Sequence, residues 1–255
     1  MIAKLRDAGA TDVIQHGDSW LQADTYLRKT FIENQEQNGE GSEQRQENIY
    51  VPPFDHPEIW DGAGTLVDEI ERQMPSREGS FPADAVVCSV GGGGLFNGVV
   101  QGLGRHLQAG SPEKVRVLAV ETEGANSLDL AVKTGDLNAL PTITSLATSL
   151  GAVRVARQTL KNAKSPPAGV DVINVVGSDA EAARGVLRLA DEMRLQVELA
   201  CGISVEIGAS EKLKECVPGL TPESRVVIVV CGGSNVTAEM IAEYRNRLQH
   251  GWDEK

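Results

Sequence analysis

Aromatic residues make up only 4% of this 255-residue chain, and no apolar run approaches the roughly 18 residues of a membrane-spanning helix. The first shortage leaves the core to Val, Ile, Leu and Ala, and the second excludes a helical span. The opening, MIAKLRDAGATDV, has no apolar stretch of the kind a secretory signal carries, so the NVT sequon at 235–237 reads as ordinary sequence. Cysteine is scarce and never in CxxC spacing. Cys88, Cys201, Cys216 and Cys231 therefore do not form a zinc or thioredoxin motif and suit reduced thiols in a cytoplasmic protein. Positive charge is short as well: 24 Lys and Arg against 36 Asp and Glu leave a net charge of -12. A nucleic-acid or anionic-membrane surface would have to oppose that field, which points to small-molecule partners, no nucleic acid and no membrane.

What is present is alternation. Short apolar runs at 11–15, 48–51, 84–90, 114–120, 170–176 and 225–230 read as strands, and the later ones are nearly continuous in Val and Ile. Strands buried on both faces look like this, so the pattern predicts a mainly parallel sheet. Helical periodicity covers 58–73, 95–109, 178–194, 202–215 and 236–249, with a capping-box start at Ser178 and Glu181. The fold class is α/β. The polar segment 33–48 and the Pro- and Gly-punctuated segments 74–82 and 164–169 read as solvated connections.

Residues 89–98, SVGGGGLFNG, place four glycines between a strand and a helix. Glycine lets backbone N–H groups approach a bound group closely, and a helix starting near Leu95 aims its free N–H groups and positive dipole end at the same place. The expected ligand is a phosphate. Two familiar cradles are missing. No Lys-Ser or Lys-Thr follows the glycines, so there is no P-loop, and counting five on from Gly91 and Gly92 reaches Phe96 and Asn97, so there is no GxGxxG. A nucleotide-binding module using Glu121 on a ribose is an alternative that the absent GxGxxG disfavours. A ligand-free turn, a helix-capping role for Glu121 and a buried apolar role for Cys231 are the plainer alternatives. Ligands of open α/β sheets sit outside the carboxyl ends of the strands, so the loops at 91–94, 120–127 and 229–235 could line one crevice.

In order, SVGGGGL, VETEGANSL, ITSLATSLGA, ACG at 200–202 and VVIVVCGGSN resemble the serine/threonine dehydratases. These are fold-type II, tryptophan synthase beta-like enzymes dependent on pyridoxal 5′-phosphate. The segment VPPFDHPEIWDGAGTLVDEI at 51–70 resembles the family's stretch before the glycine loop, and cysteine in CGGSN looks most like the catabolic L-serine dehydratases. The resemblance implies PLP-dependent β-elimination of L-serine, with L-threonine as alternative, to a 2-oxo acid and ammonia. It also implies a small amino-acid substrate and a homodimer. Gly91, Gly92, Gly93, Gly94 and Leu95 would hold the cofactor phosphate, and Cys231 would sit beside the pyridine nitrogen. A monovalent-cation site, for potassium, would use Gly91, Glu121, Ala125, Ser127, Leu150 and Ala152.

The resemblance also implies a lysine in a Ser-Phe-Lys motif that binds the cofactor as a Schiff base, followed by a loop that grips the substrate carboxylate. Neither occurs here. The opening resembles the late part of the family's small domain, so the expectation is an N-terminally truncated chain: 1–47 as the end of the small domain with its polar loop, 48–255 as the large PLP-binding domain. Lys4, Lys29, Lys114, Lys133, Lys161 and Lys164 lie in helices or connections away from the glycines, and the Schiff-base role needs a desolvated amine. No catalytic residue is assigned, and the chain alone is expected to be inactive, with uncovered sheet edges that favour aggregation. A non-catalytic cofactor-binding paralogue is the competing reading. Leu199, where the family usually has proline before Ala-Cys-Gly, departs from the pattern.

Overall fold

The computed structural model describes residues 1–33, 48–75, 77, 80–107 and 114–252. The polar segment expected to be a solvated loop therefore lies, from 34 to 47, outside the described residues. The chain divides into two compact units, Met1–Pro52 and Pro53–Lys255.

The first unit holds α1 (Ile2–Asp7) and α2 (Trp20–Leu27), the latter running into a π-helical turn at Arg28–Glu33. Ser19 caps α2 by accepting from the Gln22 N–H at 3.3 Å. Asp24 pairs with Arg28 at 2.9 Å and also receives the Tyr50 hydroxyl. The strands expected at 11–15 and 48–51 do not form. A strand needs a partner for its backbone ladder, and among the described residues this unit has none; Ile49 and Val51 stand 85% and 79% exposed.

The second unit is built on four parallel strands, β1 (Ala85–Ser89), β2 (Val115–Thr122), β3 (Val170–Gly177) and β4 (Val226–Ile228), in the order β3-β2-β1-β4. Ala85 stands opposite Arg116 on one side and Val226 on the other. Successive side chains of a strand face opposite ways, and the two cores show it: Ala85 and Val87 pack into one, Val86 and Cys88 into the other. That is why these runs are apolar at consecutive positions, broken only by a few residues such as Arg116 and Asp171, rather than at alternate ones.

The helices are α3 (Pro57–Gln73), α4 (Gly94–His106), α5 (Ser127–Thr134), α6 (Arg157–Lys164), α7 (Asp179–Arg188), α8 (Leu199–Ala209), α9 (Glu211–Cys216) and α10 (Ala238–His250). Proline in the first turn and the His56 ring cap start α3, which buries Val67 and Ile70. The capping box at Ser178 and Glu181 is formed in both directions, at 3.2 and 2.8 Å. The periodic segment 178–194 is not one regular helix: after Arg188 it widens into a π-helical turn, Leu189–Met193, and stops at Arg194 with φ 60°. Likewise 202–215 is broken at Ser210, which is extended. Because all four strands run the same way, the loops after them emerge at one end of the sheet.

Candidate functional site

The loop after β1 is set by close approach. A Cβ at Gly92 would overlap the Phe54 ring, and one at Gly94 would lie 3.1 Å from the Phe54 Cα. Gly93 has φ +103°, a conformation L side chains rarely adopt, and a Cβ there would overlap the Thr159 hydroxyl. Gly91 packs against Leu150, whose Cα would be 3.3 Å from an added Cβ. The Gly92 carbonyl points into the protein, accepting from the Ala156 N–H at 3.0 Å and from Thr159 Oγ1 at 3.2 Å. No side chain caps the start of α4. Among the described residues, the backbone N–H groups of Gly91 to Leu95 donate no hydrogen bond. A run of free amides at a helix start, with no acidic side chain in the run itself, suits a phosphate.

At the end of β2 the Glu121 side chain is fully buried, and its two oxygens accept the N–H groups of Leu128 (2.7 Å) and Asp129 (2.8 Å), the first turn of α5. Burial pushes its pKa up to about 7, although those two amides and the Asn174 side chain favour the charged form. Ser127 Oγ, one residue before Leu128, is buried without a partner among the described residues. Of the six residues expected to hold a cation, the structure thus joins Gly91 to Leu150, joins Ala152 to Leu150 through an N–H to carbonyl bond of 2.8 Å, and places Glu121 at the start of α5. Ala125 is tied back to Thr122 at 2.9 Å. No hydrogen bond links the Gly91 group to the Glu121 group among the described residues. No cluster of three or more His, Cys, Asp or Glu side chains able to hold a metal occurs there either.

At the end of β4, Cys231 is exposed, yet its thiol is desolvated enough to push its pKa up, with the Cys201 thiol adding to the effect. Gly232 and Gly233 both have positive φ, +84° and +107°. This loop hangs on one carboxylate. Glu198 Oε1 accepts the Ser234 and Asn235 N–H groups, both at 2.7 Å, and its own N–H donates to the Gly232 carbonyl at 2.9 Å. The other oxygen receives the Ser149 hydroxyl. Leu199, the departure from the resembled pattern, is buried at the start of α8.

A cavity of about 750 Å³ opens at the ends of β2 and β3, lined in part by Glu123, Asp179, Arg247 and Trp252, but none of its lining residues belongs to the glycine loop or to the Cys231 loop. The six lysines considered from sequence are all exposed, and Lys133 is paired with Asp129 at 2.8 Å.

A sequence model described as "Pyridoxal-phosphate dependent enzyme" matches residues 1–232. The chain belongs to that family. Within it, an L-serine dehydratase of Saccharomyces cerevisiae (strain AWRI1631) is 38% identical over 242 residues, covering 94% of this chain and 68% of the relative. A serine dehydratase-like protein of Rattus norvegicus is 40% identical over 206 residues, covering 78% of this chain and 58% of that one. The crystal structure of a fungal L-serine ammonia-lyase from Rhizomucor miehei superposes with a TM-score of 0.79 at 31% identity, covering 97% of this chain and 70% of that one. The family's parallel sheet flanked by helices is the α/β architecture expected from the sequence. Residues that sequence reading did not assign are Phe54, Thr159, Asn97 and Glu198. Phe54 and Asn97 stand inside quoted motifs, and Glu198 directly precedes Leu199, but their partners are distant: Asn97 meets Thr159 across 62 positions, and no local signal marks that pairing.

Proposed function

We propose that this protein serves PLP-dependent β-elimination of L-serine, with L-threonine as alternative substrate, releasing a 2-oxo acid and ammonia. The observation that carries the reading is the glycine loop: five successive amides without acceptors among the described residues, at the end of the interior strand β1, in a chain of the pyridoxal-phosphate dependent family. The relatives named L-serine dehydratase and L-serine ammonia-lyase support the substrate class. Pyridoxal 5′-phosphate, when bound, supplies the electron sink that lets an α-proton and a β-hydroxyl leave.

The chain's own residues would act as follows. The N–H groups of Gly91, Gly92, Gly93, Gly94 and Leu95 bind the phosphate, with the positive end of α4 behind them. Cys231 would stand beside the ring nitrogen as a neutral thiol, since its raised pKa keeps the proton on sulfur near pH 7. A neutral thiol would be a weak proton donor to that nitrogen, which elimination of a β-hydroxyl would tolerate. Glu121, the orphaned Ser127 Oγ and backbone oxygens of Gly91, Ala125, Leu150 and Ala152 form a potassium site of hard oxygen donors. We read the protein as a cytoplasmic homodimer: the four cysteines are all free, which fits a reducing compartment, and the dimer follows from the family resemblance.

No Ser-Phe-Lys tripeptide occurs in the 255 residues, so no catalytic amine is assigned. The direct test has two parts. Incubation with pyridoxal phosphate, borohydride reduction and peptide mapping should give no single stoichiometrically labelled lysine; one such lysine would identify a catalytic amine and overturn that assignment. Joining to the chain the part of the yeast relative that lies outside the match should yield pyruvate from L-serine, and a chimera that binds the cofactor but makes no pyruvate would overturn the substrate.

A further inference from the structure

Behind the glycine loop runs a buried chain of polar side chains with no part in the chemistry so far. Thr159 Oγ1 donates to the Gly92 carbonyl at 3.2 Å and accepts from Asn97 Nδ2 at 3.1 Å. Asn97 Oδ1 accepts from Asn162 Nδ2 at 3.0 Å, and Asn162 Oδ1 accepts from Gln158 Nε2 at 2.8 Å. Asn97 and Thr159 are 0% exposed and Asn162 is 3% exposed. Buried amides carry a desolvation cost unless every donor and acceptor is matched, so a core position filled by two asparagines and a threonine asks for a reason.

Peptide geometry supplies one. Every peptide bond of the described chain is trans, and in a planar trans peptide the carbonyl and the following N–H point in opposite directions. Thr159 and the Ala156 N–H hold the Gly92 carbonyl toward α6, so the Gly93 N–H is turned the other way, away from α6. The single hydroxyl proton of Thr159 is committed to that carbonyl because its acceptor side is taken by Asn97. Asn97 is held in this orientation by Asn162, whose Nδ2 donates to its carbonyl. The donors run in one order along the chain, from Gln158 to Gly92.

We infer that Thr159, held by the Asn97–Asn162 pair, is a positioning residue that aims the glycine-loop amides at a phosphate ester and so sets the preference for a phosphorylated over an unphosphorylated cofactor. The inference rests on the reading of the loop as a phosphate cradle. Thr159 acts through the Gly92 peptide and touches no ligand.

The test compares binding of pyridoxine 5′-phosphate and pyridoxine, which lack the aldehyde and so form no adducts with exposed lysines, to the purified 255-residue chain by titration calorimetry. The wild type should prefer the ester. Thr159→Val, which keeps shape and removes the hydroxyl, should weaken the ester by about tenfold while leaving pyridoxine unchanged, and Thr159→Ser should restore the preference. Equal weakening of both ligands, or none of either, would overturn the inference, because a general packing role does not distinguish them. A wild type with no preference would overturn the phosphate reading itself, and the inference with it. If Thr159→Val does not fold, Asn162→Ala keeps the threonine and removes the brace on Asn97; it should lower the preference about threefold, and an unchanged preference counts against the inference.

Discussion

Two loops of the same kind, a strand end running into glycines, leave the sheet at its centre and at its edge, and they are held in opposite ways. The loop after β1 is enclosed: Phe54 and Thr159 occupy the places where side chains would stand, and the Gly92 carbonyl is tied inward. The loop after β4 is open at Gly232, where nothing lies near an added Cβ, and close only to Glu198, whose side chain a Cβ at Gly233 would overlap and whose carboxylate gathers the loop's amides. The carboxylates make the same comparison. Glu121 and Glu198 each accept two consecutive backbone N–H groups, one inside the protein and one near its surface. Position in the sheet decides what holds a loop: buried neighbours from several elements at the centre, chiefly one carboxylate at the edge.

The contrast is broken most forcefully at Gly93. Gly93→Ala adds a strained φ and an overlap with Thr159, and should destabilise the chain by at least about 3 kcal/mol in denaturant unfolding while abolishing binding of a phosphate ester. Next comes Glu121. Its folded pKa, about 7, lies above the ordinary 4.5, so the folded state holds a proton that the unfolded state has released between those pH values. Stability that this group contributes is present below about pH 4.5 and is lost as pH rises to about 7, an effect of about 3 kcal/mol. Unfolding of wild type against Glu121→Gln in tetramethylammonium buffers should show that difference, and potassium should flatten it if the carboxylate binds the cation. A difference that is flat without potassium would show Glu121 ionised throughout.

At the edge the effects shrink. Gly232→Ala meets a positive φ but open space, and should cost only about 1 kcal/mol. A loss as large as that of Gly93→Ala would erase the distinction between the two loops. Smallest is Glu198→Gln, which retains an acceptor for both amides and should change stability by less than about 1 kcal/mol; Glu198→Ala should speed hydrogen exchange at Ser234 and Asn235, and unchanged exchange would show that the carboxylate does not hold the loop.

The same distinction explains what was legible in the sequence. The runs at 84–90, 114–120, 170–176 and 225–230 formed strands because packing on both faces writes itself as nearly continuous apolar sequence, rich in Val and Ile. The runs at 11–15 and 48–51 looked alike over so few residues, but a strand is a property of a pair, and no pairing partner is present in their unit among the described residues. Four glycines in a row announced a tight loop, and the capping box at Ser178 announced a helix start, because both depend on neighbours in sequence. The side chains that make the glycines necessary come from Phe54 and Thr159, tens of residues away on either side, where only the folded chain brings them together. Glu198 was visible as a residue and invisible as a clamp, since its partners lie 36 and 37 positions downstream.

The parallel pairing of β4 with β1 also orders events in time. Arg225 at the entry to β4 donates to Asp84 at the entry to β1 across 141 positions, whereas β1, β2 and β3 need only the chain up to Gly177 to complete their mutual ladder. Contacts that close so long a loop are slow to form, and a ribosome releases the chain from its N-terminal side. The glycine loop is thus framed on its β2 side while β4 is still being synthesised, and Cys231, in the loop after β4, is set after it.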